Sequence, residues 1–74
     1  MRIGESARKH GVLDADIWHA IGHYLTSFEA RHLTMFIGPA RNGAPLEIGV
    51  LDADGDDPAV IHAMPLRRSY YKYL

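Results

Sequence analysis

The sequence predicts an α+β fold: two N-terminal helices, an antiparallel meander sheet of three or four strands, and a short C-terminal helix. Three observations carry that expectation. Ile17, Ala20, Ile21 and Tyr24 recur at helical spacing and form one apolar stripe. Leu46, Ile48 and Val50 alternate with Glu47 and Gly49, the period of a strand with one buried face and one open to solvent. Asn42-Gly43 lies between two apolar runs, the strongest short-range turn signal in the chain.

Taken in order, "GESARKHG" has helix formers in its middle and Gly11 in the place of a C-terminal cap, which predicts a short first helix. Asp14 is placed to cap the second helix, "DADIWHAIGHY", with Trp18 flanking its apolar stripe. The period then changes. "YLTSFEA" and "LTMFIGPA" are rich in β-branched and aromatic residues, and the "RH" between them predicts a hairpin. "LEIGVL" follows the "ARNGAP" turn, and "DADGDDP" turns the chain into "AVIHAM". Pro65 ends that strand before "LRRSYYKYL", where Leu66, Tyr70, Tyr73 and Leu74 fall near one helical face. The helices are expected to cover one face of the sheet.

With 74 residues the chain predicts one small domain spanning 1–74, with a core near the lower limit for folding alone. Hydrophobic residues are 47% and charged residues 23%, the balance of a folded rather than a disordered chain. There is no cysteine, which excludes disulfides, thiolate zinc sites and thiol nucleophiles. The polar start "MRIGESARKH" and the lack of any long apolar run predict a cytoplasmic protein that does not enter membranes. A net charge of −1 gives no strong general attraction to nucleic acid, but the charge is unevenly placed. Both ends are basic, whereas Glu47, Asp52, Asp54, Asp56 and Asp57 follow one another with no intervening base. A polyanion would be steered towards the termini.

Three constellations bear on chemistry. Asp16, His19 and His23 share a helix side at ligand spacing, but no further His or Cys accompanies them, so no metal and no cofactor are expected. "DADGDD" lacks the glycine and glutamate positions of a calcium loop and reads as a hairpin turn. The third is the set of parts that a metal-free ribonuclease requires. Arg8, Lys9, Arg67 and Arg68 can hold a phosphate, and His10, His62 or Glu47 can exchange a proton. Tyr70, Tyr71 and Tyr73 offer faces for unpaired bases. Ordinary readings exist beside these: a strand histidine is more often simply paired, tyrosines at helical spacing more often pack, and Glu47 is most simply solvated.

"RKHGV" before a helix, then "FIG", a polar turn, "LEIGVL", an acidic turn and "VIHAMPLRRSYYKYL" resemble the BrnT family of small toxins with a RelE-like fold. Lys9, His10, Gly11 and Val12 match its Lys-His-Gly-Val/Ile segment, and Ile37 and Gly38 its glycine-containing strand. Ile61 to Ala63, with Arg67 and Arg68, match its closing strand and basic exit. The resemblance implies a type II toxin that cuts RNA without a metal and is neutralised by a protein antitoxin. In that reading His10, His62 and Arg67 are catalytic, and Arg8, Lys9, Arg68, Tyr70 and Tyr71 bind RNA. The chain departs from the family in lacking the opening strand with its Trp-Asp pair, and Met64 stands where an arginine is expected. Two other functions fit the same residues: a noncatalytic protein-binding module, and a homodimer whose tyrosine tail packs across the two-fold axis.

Overall fold

The alternating run around Glu47 becomes the central strand of a five-stranded sheet. The structure, a computed structural model, describes residues 1–74. Its elements are β1 (Arg2–Ile3), a 3-10 helix (Glu5–Arg8), α1 (Asp14–Gly22), β2 (Thr26–Ala30), β3 (Leu33–Pro39), β4 (Pro45–Leu51), β5 (Ala59–Pro65) and a C-terminal 3-10 helix (Arg68–Tyr73). The sheet order is β1-β5-β4-β3-β2. The four-strand meander is antiparallel, and β1 adds to it in parallel beside β5. The domain is thus α+β with a mixed sheet.

The expected helices are corrected at both ends. "GESARKHG" makes only one 3-10 turn, Glu5–Arg8, and its C-cap is Lys9 rather than the expected Gly11, which takes a φ of 78° two residues further on. "LRRSYYKYL" is also 3-10 rather than α. Both segments are too short to gain much from cooperative α-helical hydrogen bonding, and side-chain anchors hold them instead. The strand count rises to five because Arg2 and Ile3 pair with Ala59 and Val60, a register too short to leave a period in the sequence. The remaining turns follow their residue chemistry. Arg31 and His32 both take positive φ, the two-residue geometry that suits a twisted hairpin. Asp14 does not cap α1; the capping position falls on Leu13 without a side-chain bond, and the Asp14 carboxylate receives two hydrogen bonds from Arg8. No helix is long and apolar enough to cross a membrane.

Helix α1 and the first 3-10 helix pack on one face of the sheet, where Ala7, Ile17, Ala20, Ile48, Val50 and Val60 are sealed from solvent. Each Ile or Val buried there contributes roughly 1.5–3 kcal/mol. The helix sits unusually close: a Cβ on Gly38 would lie 2.1 Å from the Ala20 carbonyl oxygen. The opposite face was expected to be open, and it is not. Residues Leu46 to Val50 are all buried, because the chain beyond β5 turns back across that face. Phe28, on edge strand β2, stacks on Tyr73 at 3.8 Å and meets Tyr70 edge-on at 5.3 Å. The tyrosines therefore close the chain's own second layer.

Gly38→Ala is expected to lower unfolding stability by about 2–3 kcal/mol through overpacking against α1. Gly22→Ala, in open space at the end of α1, should raise it by up to about 1 kcal/mol. Urea unfolding of both variants checks the contrast, and an unchanged midpoint for Gly38→Ala would contradict the close approach.

Candidate active site on the second sheet face

Register places the site. Ile37, Glu47 and Met64 are neighbours across β3, β4 and β5, and Met35, Gly49 and His62 form the next row on the same face. Between Val60 and His62 the β4–β5 register shifts, so Ile61 is an extra residue in a β-bulge. The bulge is tied down: Ser6 Oγ donates to the Ile61 carbonyl at 2.8 Å, and Gly4 N–H donates to the Val60 carbonyl at 2.8 Å. These bonds bring the first 3-10 helix alongside the bulge, and the segment leaving that helix carries Lys9 and His10. The His10 and His62 rings meet edge to face with centroids 6.0 Å apart.

Glu47 is 0% exposed, which corrects the expectation of a solvated side chain. A lone buried carboxylate would be costly, and here Arg67 compensates it. Arg67 Nε donates to Oε1 at 2.6 Å and its NH2 group donates to Oε2 at 3.1 Å, a two-point grip. The hydrogen bonds to Glu47 raise the Arg67 pKa above its usual value. Met64 is the register partner of Glu47, and Arg67 reaches back from three residues further on to the carboxylate beside it. The guanidinium also lies 4.8 Å over the Tyr70 ring.

His62 completes the cluster. Its side chain is 22% exposed, with Nε2 buried 3.8 Å from Glu47 Oε2 and lacking any hydrogen-bond partner. Burial pushes the imidazole below its usual pKa of 6.5; Glu47 opposes that shift, while the charges of Arg67, His10 and Lys9 reinforce it. His62 is therefore neutral at pH 7 yet backed by a carboxylate that can accept a hydrogen bond from its Nε2–H after a small approach, the arrangement by which an acid group orients a histidine base. A pocket of about 310 Å³ opens beside it, with Ala30, Leu33, Met35 and Ile61 as apolar walls and Arg31, His62, Arg67 and Tyr70 as polar ones.

The fold brings together His10, His62, Arg67, Lys9 and Tyr70 from the sequence-derived set. Arg8 is engaged elsewhere, donating to both Glu5 and Asp14. Arg68 and Tyr71 lie exposed on the C-terminal 3-10 helix. On the far side of the molecule, Asp16 accepts two hydrogen bonds from Arg41, and His19 and His23 stack with centroids 4.2 Å apart. Each of those rings is bonded through Nδ1 to a backbone carbonyl, His19 to Pro39 and His23 to His19. Sequence reasoning underrated Glu47 and did not single out Arg31. The signal for Glu47 was available in "LEIGVL", an acid flanked on both sides by core residues. No family model, curated protein or solved structure matches the chain.

Two outcomes follow from this electrostatic arrangement. Arg67→Leu is expected to destabilise the fold by about 2 kcal/mol, less than for a fully buried pair because Arg67 is 47% exposed; adding Glu47→Leu should recover more than half. Denaturant unfolding of the single and double variants checks the recovery, and a loss under about 0.5 kcal/mol for Arg67→Leu would show that the pair contributes little. The second concerns pH. Because the folded pKa of His62 is depressed, the unfolded chain binds its proton first: stability is full above pH 6.5 and declines as pH falls towards the folded value. His62→Gln should flatten that decline. Asp14 and Asp16 act in a lower window. Side-chain hydrogen bonds from Arg8 and Arg41 depress their carboxyl pKa values, so their contribution is present above pH 3.8 and lost as pH falls through the folded values. A slope between pH 5 and 6.5 that is the same with and without His62 would exclude it as the titrating group.

Proposed function

We propose that this protein is a small metal-independent endoribonuclease, a cytoplasmic BrnT-like toxin of a type II pair whose protein antitoxin covers the histidine face. The observation that carries the reading is the meeting of His10 and His62 beside Lys9 and Arg67, four residues drawn from opposite ends of the chain. RNA cleavage by transphosphorylation needs a base for the 2′-hydroxyl, an acid for the departing 5′-oxygen and positive charge at the phosphorane. Neutral His62 suits the base. His10, exposed, suits the acid, and Lys9 together with the unbonded NH1 edge of Arg67 supplies charge. Glu47 acts behind His62 as a positioning residue. The bonds balance as written: the 2′-oxygen attacks phosphorus as His62 takes its proton, the P–O5′ bond breaks, and protonated His10 supplies the proton to the leaving oxygen. The products are a 2′,3′-cyclic phosphate and a 5′-hydroxyl.

One observation favours a noncatalytic partner-binding module instead. Two nitrogens of Arg67 already belong to Glu47, and no arginine stands at position 64 to share the phosphate. Cleavage assays on purified chain separate the two. Single-stranded RNA incubated with EDTA is expected to yield cyclic-phosphate ends, with His62→Ala and His10→Ala each slowing the reaction by about 100-fold or more. Intact RNA at all protein concentrations, or cleavage abolished by EDTA, would overturn the ribonuclease reading.

A further inference from the structure

The pocket beside His62 has apolar walls and a charged mouth, of which the catalytic reading uses only the NH1 edge of Arg67. Register sets Gly49 between Met35 and His62, and a Cβ there would meet Met35 Sδ, Leu33 Cδ1 and His62 Cβ, each at 3.1 Å. The cavity of about 310 Å³ lies at the lower limit of small-ligand sites, room for one ring system and its substituents but not for a long chain. Its walls at Ala30, Leu33 and Met35 are apolar, and Tyr70 adds an aromatic side chain to the lining. At the mouth stand two cations. Arg31 makes no hydrogen bond or ion pair within the chain, and Arg67 keeps its NH1 group after Glu47 takes Nε and NH2.

We infer that this pocket is a nucleobase subsite: it takes the base of a nucleoside 3′-phosphate, with the ring between the apolar walls and the phosphate between Arg31 and Arg67. Apolar walls beside an aromatic side chain, with a cationic grip from Arg31 and Arg67, match a flat heterocycle joined to a phosphate. Inorganic phosphate satisfies only the mouth. The inference rests on the reading of His10 and His62 as a phosphodiester-cleaving pair, because the ring seated beside His62 belongs to the nucleotide whose 2′-hydroxyl that pair would activate. Its consequence is base preference at the cleavage site, set by Ala30, Leu33 and Met35 rather than by the exposed tyrosines.

The test is titration of the intact 74-residue chain, followed by backbone amide NMR, with adenosine, guanosine, cytidine and uridine 3′-monophosphates and with inorganic phosphate. At least one nucleotide is expected to bind about tenfold or more tighter than phosphate and to shift the amides of Ala30, Leu33 and Met35. Ala30→Phe, which fills the slot from an edge strand, should bring nucleotide affinity down to that of phosphate. Arg31→Asn weakens the mouth while suiting the left-handed backbone at that position, and should reduce nucleotide affinity about threefold or more; it decides the matter if Ala30→Phe fails to fold. Equal affinity for nucleotide and phosphate, or shifts confined to residues outside the pocket, would overturn the subsite. Nucleotide binding that depends on Ala30, without RNA cleavage, keeps the subsite and removes the nuclease. Cleavage that shows no base preference and ignores Ala30→Phe keeps the nuclease and removes the subsite.

Discussion

A carboxylate with no exposure to water, set in the middle of a sheet, is the constraint around which the second half of this molecule is arranged. Glu47 requires a cation, and the only guanidinium that reaches it belongs to the segment leaving β5. Satisfying that demand draws the chain back over the sheet, where Tyr70 and Tyr73 find Phe28. A strand that would otherwise have one wet face is buried on both. Replacing the pair by apolar residues would fill the same space, so its retention is better explained by the place in which it holds Arg67 than by net stabilisation.

A second device works from the other side of His62. The extra residue in β5 turns the Ile61 carbonyl towards Ser6, and that bond fixes the first 3-10 helix against the bulge. The helix ends at Arg8, and Lys9 and His10 lie in the turn that follows, before left-handed Gly11. Two anchors of different chemistry therefore converge on one imidazole: an ion pair behind it and a bulge beside it. The result is a cationic, partly desolvated pocket on a protein whose net charge is only −1. Local placement rather than overall charge would govern the approach of an anion, since the acidic turn lies in the β4–β5 connection.

Helix α1, the four-strand meander and the turns at 31–32 and 42–43 were legible because each is written in a local signal. Helical period, alternation and the Asn-Gly turn signal all act within a few residues. The added strand β1 was not legible, since two residues carry no period. The 3-10 form of both terminal helices was hidden for a related reason: composition shows that a segment favours helix, while side-chain anchors decide whether one turn tightens. Glu47 was misread because alternation assigns faces but does not say what lies above each face. The second layer over β4 comes from residues 66–74, about twenty positions away in sequence and unrelated to it by any local rule.

What the sequence determined by itself was the inventory: an α+β chain whose basic ends hold two histidines, arginines and tyrosines, with an acidic turn between. That follows from composition and short-range stereochemistry, which are properties of neighbouring residues. Only tertiary structure decided that His10 meets His62, that Arg67 serves a buried carboxylate, and that a pocket opens beside His62. Each of these depends on register and on one bulged residue, and a register is settled by the sum of contacts across the sheet rather than by any stretch of chain alone.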